Sequence, residues 1–341
     1  MKQALIDKKD VGSLLKEASG DALVFAPVLA DAGIQFLPIT DGSEEIVLKY
    51  SNLQLSPKGI FFPQTETLFT FDNGEVEDIP EPAGGVVVFG SRPCDALSLH
   101  YLDKIFSKEN KGYNDPYYMK RRENSVLISL ACSDPCSTCF CTSVEGGPAN
   151  SIGSDVLVFD LEEGLFFKAE TDKGEAFLKK YASKFSEPGT NTAKTAEDQG
   201  NKAAAGMETL PVEKDVLKQH MDAGFDDADW EKLTRNCIGC GACTYLCPTC
   251  YCFDISDEQR MYKGKRIRTW DACQFAKFTK HASGHNPRTN KKERLRQRFM
   301  HKFSYTVENV GDIFCVGCGR CITDCPVNID IREVIETFAK K

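Results

Sequence analysis

Cys237-Ile-Gly-Cys240-Gly-Ala-Cys243-Thr-Tyr-Leu-Cys247-Pro248 and its near copy Cys315-Val-Gly-Cys318-Gly-Arg-Cys321-Ile-Thr-Asp-Cys325-Pro326 decide how this chain is read. Three cysteines at every third position, then a fourth followed by proline, is the spacing that wraps a peptide around a cubane iron–sulfur cluster. In two-cluster proteins the fourth cysteine of each run ligates the other cluster. The spacing therefore predicts two [4Fe–4S] clusters. Cys237, Cys240, Cys243 and Cys325 hold one, and Cys315, Cys318, Cys321 and Cys247 hold the other. Gly239, Gly241, Gly317 and Gly319 sit between ligands, where a positive φ lets backbone N–H groups approach sulfur. Pro248 and Pro326 close each loop with a fixed φ. A pair of such clusters moves single electrons.

Zinc fits this pattern poorly, because zinc ribbons use two separated C-x-x-C pairs. Packed cysteine runs without an export signal also argue against a disulfide framework. The chain has 341 residues, which at roughly 150 per domain suggests two or three domains. Its 41% hydrophobic content supports real cores, and its net charge of −8 makes nucleic acid an unpromising partner. The N-terminus lacks the apolar stretch of a signal peptide. The best apolar run, residues 22–30, is too short to span a bilayer and contains Pro27. These features predict a cytoplasmic protein without a transmembrane segment, its clusters kept in a reducing compartment.

Working outward, the expected fold class is α+β. An N-terminal mixed α/β domain, residues 1–185, precedes a C-terminal ferredoxin-like two-[4Fe–4S] domain, residues 210–341, with a long insertion over 253–314. Residues 23–29, 34–37 and 46–50 read as strands, and 67–71 with 76–79 flank the hairpin signal Asp72-Asn73-Gly74. Residues 86–89 and 126–130 are continuous apolar runs, read as buried strands. Residues 156–161 and 165–169 form a second expected hairpin. Helices are expected over 10–18, 96–106, 176–185 and 330–339. Residues 186–209 are small and polar, and their composition predicts a flexible linker.

A further cysteine group lies in the first half: Cys94, then Cys132-x-x-x-Cys136-x-x-Cys139-x-Cys141. Cys94 and Cys132 each follow an expected buried strand. If those strands are parallel neighbours, their C-terminal ends lie together, at the edge where open α/β sheets place ligands. The set Cys94, Cys132, Cys139 and Cys141 then predicts a third [4Fe–4S] cluster, with Cys136 as the competing ligand. Cys250, Cys252 and Cys273 read as thiols shielding the nearby clusters. From Arg260 to Lys302 the sequence is strongly basic, opposed locally only by Asp271 and Glu293. That stretch reads as a docking face for an acidic partner or anionic cofactor, as compensation for cluster charge, or as a solvated helix face.

Several further stretches carry a family resemblance: Ser56-Pro-Lys-Gly-Ile-Phe-Phe-Pro-Gln-Thr-Glu66, Arg92-Pro-Cys-Asp95, Asp115-Pro-Tyr-Tyr118, Cys139-Phe-Cys-Thr142, Cys247-Pro-Thr-Cys-Tyr-Cys252, Trp270-Asp-Ala-Cys273 and Gly284-His-Asn-Pro-Arg288. With the second cysteine motif they resemble the β subunit of sulfhydrogenase-type NiFe hydrogenases and the A subunit of anaerobic sulfite reductase. The resemblance implies a non-catalytic electron-transfer subunit of an anaerobic oxidoreductase complex. Its implied partners are a flavoprotein subunit that handles NAD(P)H and a separate catalytic reductase or hydrogenase subunit. The alternative is a self-contained reductase with its own flavin. No G-x-G-x-x-G or P-loop is present to support that alternative.

Overall fold

The structure is a computed structural model, and it describes residues 1–80, 84–108 and 112–341. The strands are β1 (Gln3–Ile6), β2 (Leu23–Ala30), β3 (Gly33–Pro38), β4 (Thr65–Asp72), β5 (Glu75–Asp78), β6 (Val86–Ser91), β7 (Ser125–Leu130), β8 (Val156–Leu161), β9 (Gly164–Ala169), β10 (Phe253–Arg260) and β11 (Lys263–Trp270). Seven of them form one sheet in the order β1-β9-β8-β7-β6-β2-β3. The central strands β2, β6, β7 and β8 run parallel, and the outer pairs are antiparallel. A parallel sheet is covered on both faces, so its strands read as unbroken apolar runs. Every residue of β6 is buried accordingly.

One face packs on the helices Val11–Ser19 and Asp172–Lys180 through Leu14, Leu15, Phe177 and Leu178. The other packs on the helices Pro93–Phe106 and Pro116–Glu123 through Leu99, Leu102, Phe106 and Tyr118. Strands β6 and β7 are adjacent and parallel, the condition on which a shared cysteine edge depends, and their C-terminal ends deliver Cys94 and Cys132 to one edge. Of residues 46–50, expected as a strand, only Ile46 pairs, in a single bridge to Val28.

The expected linker over 186–209 is corrected by the helix Thr192–Ala205, which packs on β8 and β9. Its buried residues are Thr192, Ala196, Gly200 and Ala203. Small side chains allow close approach, so this face is buried without the large apolar residues that normally announce a helix. The Cβ that Gly200 lacks would lie 2.7 Å from the Ala149 methyl.

The chain also does not divide into consecutive halves. A second sheet has the order β10-β11-β4-β5, taking two strands from each half. Arg268 of β11, 3% exposed, donates through Nε to Glu66 of β4 at 2.8 Å and also pairs with Asp115. Arg121 binds the other oxygen of Glu66 at 2.7 Å. Trp270 stacks on Phe62 at 5.9 Å and donates its indole N–H to the Phe62 carbonyl.

A third core holds Trp230, Phe299, Phe303 and Phe338, with Ile331, Val334 and Ile335 of the helix Ile331–Ala339 closing it. The expected terminal helix is therefore present with its apolar residues on one buried face. Among the described residues no helix is long and apolar enough to cross a membrane.

Glu66 is the anion between two arginines, at 5% side-chain exposure. Glu66→Ala removes the anion that Arg121 and Arg268 share, leaving Arg268 with Asp115 alone, and should cost about 3 kcal/mol, read as a lower urea midpoint. An unchanged midpoint would show that the join between the two halves does not depend on this charge.

Candidate metal centre

The two cysteine loops repeat one backbone geometry. Gly239, Gly241, Gly317 and Gly319 have φ of +72°, +79°, +60° and +73°, values that L side chains rarely adopt. Each loop runs into a one-turn helix, Ala242–Tyr245 in the first and Arg320–Thr323 in the second. Backbone N–H groups already point at sulfur: Gly239 N–H donates to Cys237 Sγ at 3.4 Å, and Ile329 N–H to Cys325 Sγ at 3.2 Å.

Cys237, Cys240, Cys243 and Cys325 line one pocket of about 480 Å³, so the fourth cysteine of the second motif faces the first three of the first motif. Cys321 and Arg298 also reach this pocket. The reciprocal group is Cys315, Cys318, Cys321 and Cys247. Burial pushes the thiols of Cys315, to about 11, and of Cys318 and Cys321 above their ordinary value, and each feels the charge of Cys247. The Cys247 thiol is instead held well below its usual range. The hydrogen bond from Cys250 is the largest cause, and Lys302 and Arg298 add to it against burial.

Cys94, Cys132, Cys139 and Cys141 line a third pocket, of about 340 Å³. Cys318 borders it too, whereas Cys136 does not. The Cys136 carbonyl accepts the Cys139 N–H at 2.9 Å, which shapes the loop that turns Cys139 inward. Arg92 braces the mouth, donating to the carbonyls of Ser51, Leu130 and Ala131 at 3.0–3.1 Å. Burial raises the thiol pKa of all four cysteines, that of Cys141 to about 12. Such thiols favour the neutral form until metal ions supply positive charge and displace their protons.

The second and third groups are joined closely. Phe140 N–H donates to the Gly317 carbonyl at 2.8 Å, and Asn52 Nδ2 to the Cys318 carbonyl at 2.7 Å. A Cβ on Gly317 would sit 2.5 Å from the Cys141 nitrogen, and one on Gly319 2.4 Å from Thr138 Oγ1. Arg320 and Asp95 form an ion pair at 2.8 Å that is almost wholly buried.

Part of the basic insertion is matched by acidic side chains of the same chain, mostly at the surface. Lys263 pairs with Asp72, Lys265 with Glu258, Arg266 with Asp257, Lys292 with Glu231 and Arg296 with Asp226. Arg298 and Lys302, each 3% exposed, are buried among cysteines: Arg298 Nη1 lies 3.4 Å from Cys250 Sγ and Lys302 Nζ 3.1 Å from Cys247 Sγ. Lys58 joins them from the first half, donating to the carbonyls of Cys247 and Cys250 at 3.0 Å beneath the Trp270 ring. Burial pushes its pKa down to about 8, against the attraction of the neighbouring cysteines. The sequence offered one signal for Lys58, a lone cation in the apolar run Pro57-Lys58-Gly59-Ile60-Phe61-Phe62. Cys252 and Cys273 hydrogen-bond each other beside the same group, so the three extra cysteines do gather near the motifs.

The donor set fits cubane clusters. A cubane takes thiolates spread around a cage. Arg298 Nη2, buried and without a hydrogen-bond acceptor, fits an anionic group in the first pocket.

Residues 236–329 match the family of 4Fe-4S dicluster domains. Over 314 residues the chain is 29% identical to sulfhydrogenase 2 subunit beta of Pyrococcus furiosus, covering 92% of this chain and 91% of that one. The chain is thus similar to a sulfhydrogenase beta subunit over nearly its whole length. No solved structure matches it. The likeness extends well beyond the dicluster segment, so the α/β half of the chain shares it. Together the matches support an iron–sulfur electron-transfer subunit with two [4Fe–4S] clusters.

Gly239→Ala and Gly317→Ala impose the same left-handed strain in different surroundings. The nearest atom to a new Cβ at 239 is the Gln274 carbonyl oxygen, at 3.8 Å. Gly239→Ala should keep its iron, whereas Gly317→Ala should lose iron and lower the thermal midpoint further. Equal iron content in the two variants would refute the packing of the second loop on Cys141.

Proposed function

We propose that this chain relays single electrons within a multisubunit redox complex, between a flavoprotein subunit that handles NAD(P)H and a catalytic reductase or hydrogenase subunit. The carrying observation is the order of the cysteine pockets. Cys321 of the middle group borders the pocket of Cys237, Cys240, Cys243 and Cys325. Cys318 of the same group borders the pocket of Cys94, Cys132, Cys139 and Cys141. The twelve cysteines therefore form a row of three fours, with Cys315, Cys318, Cys321 and Cys247 in the middle. Bound at such sites, [4Fe–4S] clusters accept and give up one electron each.

The residues of the chain build the conditions for transfer. Glycine loops present N–H donors to sulfur, and Cys247 and Cys315 of the middle group are buried away from water. Cys240 is exposed, and Ile238 beside it is 56% exposed, so one end of the row reaches the surface where a partner can approach. A third cluster on Cys94, Cys132, Cys139 and Cys141, without Cys136, belongs to this proposal. The name of the relative, a beta subunit of a sulfhydrogenase, supports assembly with further subunits.

Anaerobically prepared protein should contain about 12 irons. Cys94→Ser should remove about four of them, and Cys136→Ser should remove none. Full iron in the Cys94 variant, with loss in the Cys136 variant, would overturn this ligand set. Possession of flavin and NADH oxidation by the isolated chain would overturn the relay reading itself.

A further inference from the structure

The two cysteine motifs are alike in sequence and in loop geometry, but their fourth cysteines meet different donors. Cys325 Sγ accepts a neutral backbone N–H, that of Ile329, at 3.2 Å. Cys247 Sγ lies 3.1 Å from the Lys302 ammonium; the Thr249 hydroxyl, 3.2 Å away, gives its one hydrogen to the Phe314 carbonyl.

Lys302 is fixed in this place by an unusual backbone. The helix Lys291–Met300 continues as a π-helical turn, His301–Tyr305, and then as the helix Thr306–Val310. Such wide turns are rare and occur often at functional sites. The Lys302 carbonyl accepts the Phe314 N–H at 2.9 Å and the Thr306 hydroxyl at 3.2 Å. In return, Lys302 Nζ donates to the Phe314 carbonyl at 2.9 Å and to Thr249 Oγ1 at 3.0 Å. An ammonium has three donors, and all three are used: one on sulfur, one on a hydroxyl and one on the carbonyl preceding Cys315. No donor remains for a carboxylate, so the anion that Lys302 faces is the Cys247 sulfur. Arg298, one helical turn earlier on the same face, reaches Cys250 and the first pocket instead.

We infer that Lys302 is a positioning residue that raises the potential of one paired cluster only, the one held by Cys315, Cys318, Cys321 and Cys247. The buried cation at the other pocket is Arg298. Net charge and hydrogen bonds to the ligand sulfurs set cluster potentials, and a charged donor is worth about twice a neutral one. The inference rests on the paired-cluster reading above.

The test is an EPR-monitored redox titration of the full-length, anaerobically purified protein and its Lys302→Met variant. One midpoint should fall by an amount corresponding to about tenfold in its reduction equilibrium, about 59 mV for one electron. The other paired midpoint should not move, and Lys302→Arg should restore most of the loss. If Lys302→Met loses iron, Thr249→Val carries the test, with a smaller fall confined to the same cluster. Unmoved midpoints, or equal shifts in both clusters, would overturn the inference. Absence of paired-cluster signals from the unmodified protein would instead overturn the paired-cluster reading.

Discussion

Burying a dense set of thiolates is the constraint on which the rest of this structure depends. A thiolate removed from water is costly unless positive charge or hydrogen-bond donors replace the lost solvent. Twelve motif and pocket cysteines, with three more beside them, are packed into one region of the chain. Around them lie Lys58, Arg92, Arg298, Lys302 and Arg320, all buried or nearly so. These cations come from both halves of the sequence. This is why the molecule does not separate into an α/β domain and a ferredoxin-like domain joined by a tether. The second sheet, with two strands from each half, holds Lys58 and Trp270 over the carbonyls of Cys247 and Cys250.

The repeat explains the pairing, and its departures from symmetry explain the rest. Both loops use left-handed glycines and N–H···S contacts. The first loop opens to the surface at Ile238 and Cys240. The second is closed off by the segment from Cys132 to Cys141, pressed so tightly that Gly317 and Gly319 have no room for a Cβ. One loop is thus shaped for contact outside the chain and the other for contact within it. The basic insertion serves the same region: Arg298 and Lys302 face sulfur, while Arg268 is buried against Glu66 and Asp115.

Much of this was legible in the sequence, because ligand spacing and buried-strand runs are local signals. Cys94 and Cys132 could be brought together on paper only on the condition that the runs at 86–89 and 126–130 are neighbouring parallel strands, and β6 and β7 meet that condition. Cys94, Cys132, Cys139 and Cys141 line one pocket. The helix Thr192–Ala205 was not legible: its buried face is alanine, glycine and threonine, a composition that also suits a linker. The pairing of β4 with β11 was not legible either, because Thr65–Asp72 and Lys263–Trp270 lie far apart and neither names its partner. The surroundings of Lys58 and Lys302 follow from that pairing and from a π-helical turn, and neither leaves a mark in local sequence.

The most direct test is a crystal structure of the anaerobically prepared protein, with anomalous scattering measured at the iron edge. The account predicts three separate iron sites in a row. Cys325 should sit with Cys237, Cys240 and Cys243, Cys247 should sit in the middle site, and Cys94, Cys132, Cys139 and Cys141 should hold the last. Uncrossed ligation of the paired motifs, or iron absent from the site beside Cys94, would contradict it.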